Sequence, residues 1–268
     1  MITTVRIGEV DIEVEVHGAG TPLLMIHGWG VDRRLMTGCM EPLFSPDDPW
    51  LRVYPDLPGR GGSPAHPSVD SADATAQLLV ELMATVAPDD AFAVVGESWG
   101  GHVARGVLAR RPDLLGMALV CPAVRSGEAD ADPPEAVERD EELLAELDPA
   151  DREVFEANNA LLTRRVYERN VAEIAPGVES ADQDYLSTVL APGRSLVEDD
   201  ATTQAPVLVI AGRQDSVVGY REQWALAQQF PHATYAVLDG AGHNAQIEQP
   251  EVFGALVRAW LERVSRAG

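Results

Sequence analysis

The stretch "VVGESWGGHVARG" (residues 94–106) sets one serine, Ser98, between Gly96 and Gly100, after an apolar run and before a helical pattern. A sharp strand-to-helix turn of this G-x-S-x-G form lifts a serine Oγ clear of a sheet, and its glycines leave room for the backbone to close. The same positions also fit a helix-capping serine behind a tight turn. Which of the two Ser98 is depends on what the rest of the chain supplies.

Working outward, the runs "TTVRIGEV", "DIEVEVHG", "PLLMIHG", "WLRVYP", "AFAVVG", "GMALVCP", "APVLVIAG" and "ATYAVLDG" read as eight strands. The later ones are nearly continuous in apolar residues, as in strands buried on both faces. Helical patterns at 71–87, 99–112, 219–231 and 250–264 alternate with them, several opened by a capping residue or a first-turn proline. This alternation predicts an α/β chain with a mostly parallel, doubly wound eight-stranded sheet.

The rhythm breaks between 124 and 203, where no convincing strand is found. Short helical patterns there, such as "PPEAVERDEELLAELD" and "LLTRRVYERNVAEIAP", are punctuated by Pro and Gly. The expected organisation is a core of 1–123 and 204–268 with a helical lid, 124–203, inserted after the sixth strand. The acid-rich first half of the insertion fits a solvated helix surface or a charge-selective lid.

Composition narrows the partners. With 268 residues the chain can bury a large core as one α/β domain with an insertion. A formal net charge of −23 and no basic block make nucleic acid and anionic membranes poor partners, leaving a small-molecule substrate. All 20 basic residues are arginine, which excludes Schiff-base lysines, pyridoxal phosphate attachment and a P-loop lysine.

Cys39 and Cys121 lie far apart without C-x-x-C spacing, and "MITTVRIGEV" has no leader pattern, so the expected setting is cytoplasmic with reduced thiols. No apolar stretch approaches the roughly 18–20 residues of a membrane span, and no repeat recurs. The six histidines lack metal-ligand spacing and no nucleotide-binding glycine loop is present, so neither metal nor cofactor is expected. Composition sets no oligomeric state.

A nucleophilic serine needs a base and an acid in loops after later strands. "VLVIAGRQDSVV" places Asp215 just beyond one buried strand, and "AVLDGAGHNAQ" places His243 in a glycine-rich loop after the next. Asp239 in "LDGAG" competes for the acid role but also fits a turn residue. Asp215 is preferred because its loop begins a strand and a helix earlier and reaches across the sheet top. His17, His66 and His232 read as ordinary surface histidines.

Attack on a carbonyl also needs two donors for the developing oxyanion. The backbone N–H of Trp99, at the positive end of its helix, supplies one, and the loop "LLMIHGWGVDRR" offers that of Trp29. His27 reads as a brace for that loop. The Trp29 and Trp99 side chains fit either the wall of a substrate pocket or core packing.

In order along the chain, "HGWG", "PDLPGRGGS", "GESWGG", "GRQD" and "GAGHNAQIEQP" resemble the α/β-hydrolase fold serine hydrolases over essentially everything outside 124–203, which corresponds to that family's variable lid. The resemblance implies Ser98 as nucleophile, His243 as base and Asp215 as its orienting acid. A serine at the elbow excludes relatives that use an aspartate there, and the missing lysine argues against hydroxynitrile lyases.

A lid-bearing esterase for a small or medium apolar acyl substrate is the leading expectation. Hydrolases of meta-cleavage products share "GHNAQIEQP" and "GRQD" but commonly carry asparagine where Glu97 stands. For them Arg164, Arg165 and Arg169 are candidate carboxylate clamps. Proline iminopeptidases share the tryptophan after the nucleophile but differ in the first loop, and a ligand receptor on the same scaffold is the non-enzymatic alternative. Glu97 fits a carboxylate that tunes the site or one that only packs and caps.

Overall fold

The computed structural model describes residues 1–88, 90–124, 130–191 and 201–267. Its strands, in chain order, are β1 (Ile2–Ile7), β2 (Val10–His17), β3 (Thr21–Ile26), β4 (Trp50–Pro55), β5 (Ala93–Glu97), β6 (Gly116–Val120), β7 (Glu138–Arg139), β8 (Leu161–Leu162), β9 (Val207–Gly212) and β10 (Ala233–Leu238). The helices are α1 (Arg33–Met40), α2 (Ala72–Val86), α3 (Trp99–Arg110), α4 (Glu141–Glu146), α5 (Pro149–Asn158), α6 (Arg164–Glu173), α7 (Ala175–Ser180), α8 (Arg221–Ala227), α9 (Ala245–Glu248) and α10 (Pro250–Ala267), with a π-helical turn at Tyr185–Leu190. No described helix is long and apolar enough to cross a membrane.

Eight strands form one sheet in the order β1-β2-β4-β3-β5-β6-β9-β10. β1 and β2 run antiparallel to their neighbours, and every pairing from β4 to β10 is parallel. The apolar continuity of the inner runs has a direct cause, because β5, β6 and β9 are buried at every position while β1 and β10 lie at exposed edges. Alternate residues serve opposite faces. Leu24, Ile26, Val94, Leu119 and Val209 pack under α2 and α3, whereas Met25, Val95, Ala118, Val120 and Ile210 pack against α1 and α10.

Register brings the functional loops to one end of this sheet. Ile26 lies beside Gly96, Gly96 beside Leu119, Val120 beside Ile210, and Gly212 beside Leu238. The turns after β3, β5, β6, β9 and β10 therefore open together above the carboxyl ends of the strands, where open α/β sheets bind their ligands.

Only Ser98 separates β5 from α3, and its backbone takes φ 51° and ψ −119°. A non-glycine residue there is strained and persists only where its surroundings hold it. The Ser98 N–H donates to the Val120 carbonyl at 2.9 Å, and its own carbonyl accepts from Gly101 and Ala123 at 3.0 Å each. The glycines are fixed by close approach. A Cβ on Gly96 would stand 2.3 Å from the Gly100 carbonyl oxygen, and one on Gly100 would stand 2.4 Å from that of Ile26.

The segment between β6 and β9 differs in detail from the helical block expected at 124–203, of which 125–129 and 192–200 lie outside the described residues. It contains a short parallel ribbon, β7 with β8, that the sequence did not announce. The Val137 and Asp140 N–H groups donate to the Ala160 and Leu162 carbonyls at 2.8 and 2.9 Å, so "PPEAVERDEELLAELD" becomes helical only at Glu141, where Asp140 caps α4. Thr163 likewise caps α6, and Leu161–Leu162 stay extended. Leu143, Leu144, Phe155, Leu162 and Val166 bury together against Val31, Leu35 and Ile247 of the sheet-bearing part.

Gly100→Ala pushes a methyl into the Ile26 carbonyl, and is expected to lower unfolding free energy by about 2 kcal/mol or more in urea denaturation. An unchanged midpoint and slope would contradict the close approach of α3 to β3.

Candidate active site

Three loops deliver the three residues singled out in the sequence. Ser98 follows β5, Asp215 follows β9 and His243 follows β10. His243 Nε2 lies 2.9 Å from Ser98 Oγ, and its Nδ1 lies 2.9 Å from Asp215 Oδ2. Asp215 Oδ1 accepts the Val217 and Val218 N–H groups at 2.9 and 3.0 Å, which fixes the carboxylate. With Asp215 acceptor-only, Nδ1 carries the imidazole proton and Nε2 is left to accept from the Ser98 hydroxyl.

Ser98 stands at the N-terminus of α3, yet its side chain makes no capping bond. The helix-cap alternative is not what the chain builds. Asp239, the competing acid, accepts instead from Gln214 Nε2 at 2.9 Å on the surface.

Charge is concentrated around the imidazole. Burial disfavours the His243 imidazolium, but Asp215, Glu97 and Glu248 outweigh it and raise the group to about 9. Glu97 Oε1 lies 3.7 Å from His243 Nε2. Burial raises this carboxyl to about 7, and it packs so closely on Gly28 that a Cβ there would stand 2.3 Å from Oε2. Glu97 thus lies between His243 and the loop after β3.

Cys121, Asp215 and His243 also bring ligand-type atoms within 4.8 Å of one another, but they do not fit a metal. Burial, with the Asp215 and Glu97 carboxylates, drives the Cys121 thiol well above its ordinary value, so it offers no thiolate. Both ring nitrogens of His243 are committed to Ser98 and Asp215.

Trp29, in the loop after β3, and Trp99, the residue after Ser98, meet edge to face at 5.4 Å between ring centroids. As the first residue of α3, Trp99 has a backbone N–H with no carbonyl one turn earlier to take it. His27 is buried and held near 3 by desolvation and by the Arg60 charge, so it is neutral. Its Nε2 accepts the Leu57 N–H at 3.0 Å, hence its Nδ1–H donates to the Gly28 carbonyl at 2.9 Å and braces the Trp29 loop.

The three arginines considered as a carboxylate clamp are otherwise engaged. Arg164 pairs with Glu146 at 3.0 Å, Arg165 donates to the Glu248 carbonyl at 3.0 Å, and Arg169 grips Glu173 at 2.6 and 2.9 Å.

The sequence reading passed over two other residues. Glu248 is buried, and its carboxylate accepts from Ala160 at 2.6 Å, Leu161 at 2.8 Å and Gly242 at 2.7 Å, tying β8 to the His243 loop. The second is Arg60, buried beside both tryptophans. Each lies inside a stretch already singled out for the resemblance, Glu248 in "GAGHNAQIEQP" and Arg60 in "PDLPGRGGS", and that placement was the available signal.

The chain is similar to known hydrolases along most of its length. The profile of the Alpha/beta hydrolase family matches residues 23–256. A pimeloyl-[acyl-carrier protein] methyl ester esterase of Xanthomonas campestris pv. campestris is 29% identical over 87% of this chain and 91% of its own. One from Aeromonas salmonicida is 28% identical over 94% of this chain and 100% of its own. Among solved structures, an alpha/beta superfamily hydrolase from Oenococcus oeni superposes with a TM-score of 0.85 at 24% identity, covering 95% of this chain and 96% of that one. A thermophilic esterase from Thermogutta terrifontis gives 0.70 at 27% identity, covering 98% and 97%.

Only the neutral imidazole can accept the Ser98 proton, so the rate of an activated ester is expected to rise through an alkaline-shifted limb governed by His243. Glu97→Gln removes a negative charge 3.7 Å from Nε2, destabilises the imidazolium and moves that limb to lower pH. A pH–kcat/KM profile checks this, and a limb that stays in place or moves to higher pH contradicts it.

Proposed function

The chain belongs to the alpha/beta hydrolase family, and from that premise we propose that it hydrolyses a small or medium, largely apolar carboxylic ester through an acyl-enzyme on Ser98. One observation carries the reading. The Ser98 hydroxyl is withheld from capping its helix and lies 2.9 Å from an imidazole nitrogen whose other side is held by a buried carboxylate.

In this reading His243 Nε2 takes the proton from Ser98 as Oγ attacks the ester carbonyl. The backbone N–H groups of Trp29 and Trp99 receive the oxyanion, and the imidazolium returns its proton to the departing alcohol. Water then enters by the same relay and releases the acid. Asp215 keeps the imidazole in the required tautomer and stabilises its charged form.

The names of the relatives, esterases in both cases cited, support ester cleavage over the other chemistries of the family. The paired tryptophans support an apolar pocket wall. We assign α4–α7 and the turn at Tyr185–Leu190 to a lid: Leu143, Leu144, Phe155 and Val166 of its helices bury together with Val31, Leu35 and Ile247, and Tyr185, Leu186 and Leu190 join the core under α2 and α3. Residues 124–203 hold 21 of the 43 acidic residues but only 7 of the 20 arginines. A polyanionic carrier would meet like charge there, which favours a free small ester over a carrier-borne one.

Ser98→Ala is expected to lower kcat on p-nitrophenyl acetate and butyrate by about 10⁴-fold or more, and Asp215→Asn by about 10³–10⁴-fold. Full activity in Ser98→Ala, or faster turnover of a prolyl anilide or a meta-cleavage dienoate than of any ester, would overturn the reading.

A further inference from the structure

Arg60 is 1% exposed, yet its guanidinium is only partly satisfied. Nη1 donates to the Pro58 carbonyl at 2.8 Å, while Nε and Nη2 are buried with no hydrogen-bond partner. The cation lies 5.4 Å from the centre of the Trp29 ring and 5.0 Å from that of Trp99. Cation–π contact offsets part of its desolvation but gives the N–H groups no acceptor oxygen. Burial pushes the group down only to about 10, so it stays charged at neutral pH.

The unpartnered edge is chemically specific. Nε and Nη2 form one side of the guanidinium fork, the side that takes a carboxylate through two parallel hydrogen bonds. Trp99 Nε1, on the ring that the cation overlies, is likewise buried without a partner. Two neighbouring side chains, the charged Arg60 and Trp99, the residue that follows Ser98, thus present hydrogen-bond donors and no acceptor. Such groups are costly to bury unless something answers them.

The backbone beneath holds this arrangement in place. The Arg60 N–H donates to Leu57 and its carbonyl accepts from Ser63, both at 3.0 Å. Asp56 takes the Gly62 N–H at 2.8 Å, and its own carbonyl takes the Ser63 hydroxyl at 2.6 Å.

We propose that Arg60 and the Trp99 indole form an anion subsite adjoining Ser98, and that the preferred ester therefore carries a free carboxylate in addition to the bond that is cut. This deepens the esterase reading and rests on it. Neither donor reaches solvent in this conformation, so the ligand enters by parting the side chains around them. Tyr185, whose ring lies against Gly59 and which is close enough to feel the Arg60 charge, is one of these. At a buried point the guanidinium acts through a low dielectric, while the acidic surface beyond acts through screening solvent.

The test compares monomethyl esters of straight-chain dicarboxylic acids, from succinate to suberate, with the methyl esters of monocarboxylic acids of equal length. Acetate esters of hydroxy acids place the carboxylate on the alcohol side. The expected result is a kcat/KM preference of at least about tenfold for the carboxylate-bearing ester on one of the two sides. Arg60→Met is expected to abolish that ratio and Arg60→Lys to leave part of it.

Arg60→Met also exchanges an unpaired buried charge for a similar apolar volume, so its melting temperature without ligand should hold or rise. A fall in melting temperature with the ratio intact would make Arg60 a brace for the tryptophans and overturn the subsite. Equal turnover of charged and neutral esters would remove the subsite and leave ester hydrolysis standing. Ser98→Ala protein provides a binding readout through tryptophan fluorescence. Arg60-dependent binding of the acid esters there, with no Ser98-dependent turnover in the native protein, would keep the subsite and remove the hydrolase reading.

Discussion

The strained backbone of Ser98 is the constraint from which the rest of the site follows. A strand and a helix meet across this one residue, and its positive φ of 51° turns the hydroxyl away from the helix it would otherwise cap. The strain persists because β6 grips the Ser98 N–H through Val120, and because Gly96 and Gly100 let the helix settle against β5 and β3. Loosening any of these contacts would let the serine relax toward an ordinary cap. The hydroxyl would then lose its place 2.9 Å from His243.

Around that turn the chain buries charge of both signs, which proteins tolerate only where geometry repays it. Asp215 and Glu248 spend their oxygens on backbone N–H groups, and in doing so they fix the loops that carry the base. The His243 N–H in turn donates to the Asn158 carbonyl at 2.9 Å, so the helical segment and the His243 loop share one framework. Glu97 and Arg60 are different in kind. The first sets its carboxyl 3.7 Å from the imidazole, and the second leaves two guanidinium N–H groups unanswered beside the tryptophans.

Much of this was legible in the sequence because it rests on local pattern. Continuous apolar runs identified the strands buried on both faces, and strand-end loops identified Ser98, Asp215 and His243 without any view of their distances. What escaped was decided by contacts between distant residues. The ribbon of β7 and β8 exists because the Val137 and Asp140 N–H groups find carbonyls more than twenty residues away, and no acid-rich pattern announces that. Nothing in the sequence singled out Arg60 itself. It is buried because Trp29 and Trp99 close over it from other loops. Arg164, Arg165 and Arg169, read as candidate clamps, likewise meet partners that their local pattern does not announce: Glu146, the Glu248 carbonyl and Glu173.

The central claim is that Ser98 becomes covalently acylated. Rapid-quench mass spectrometry during the first turnovers of a slowly hydrolysed ester measures this directly. The expected result is a mass increase equal to the acyl group, confined to the peptide that contains Ser98, appearing with the alcohol burst and decaying at the steady-state rate. Sustained ester turnover with no such adduct, or with the acyl group on another residue, would contradict it.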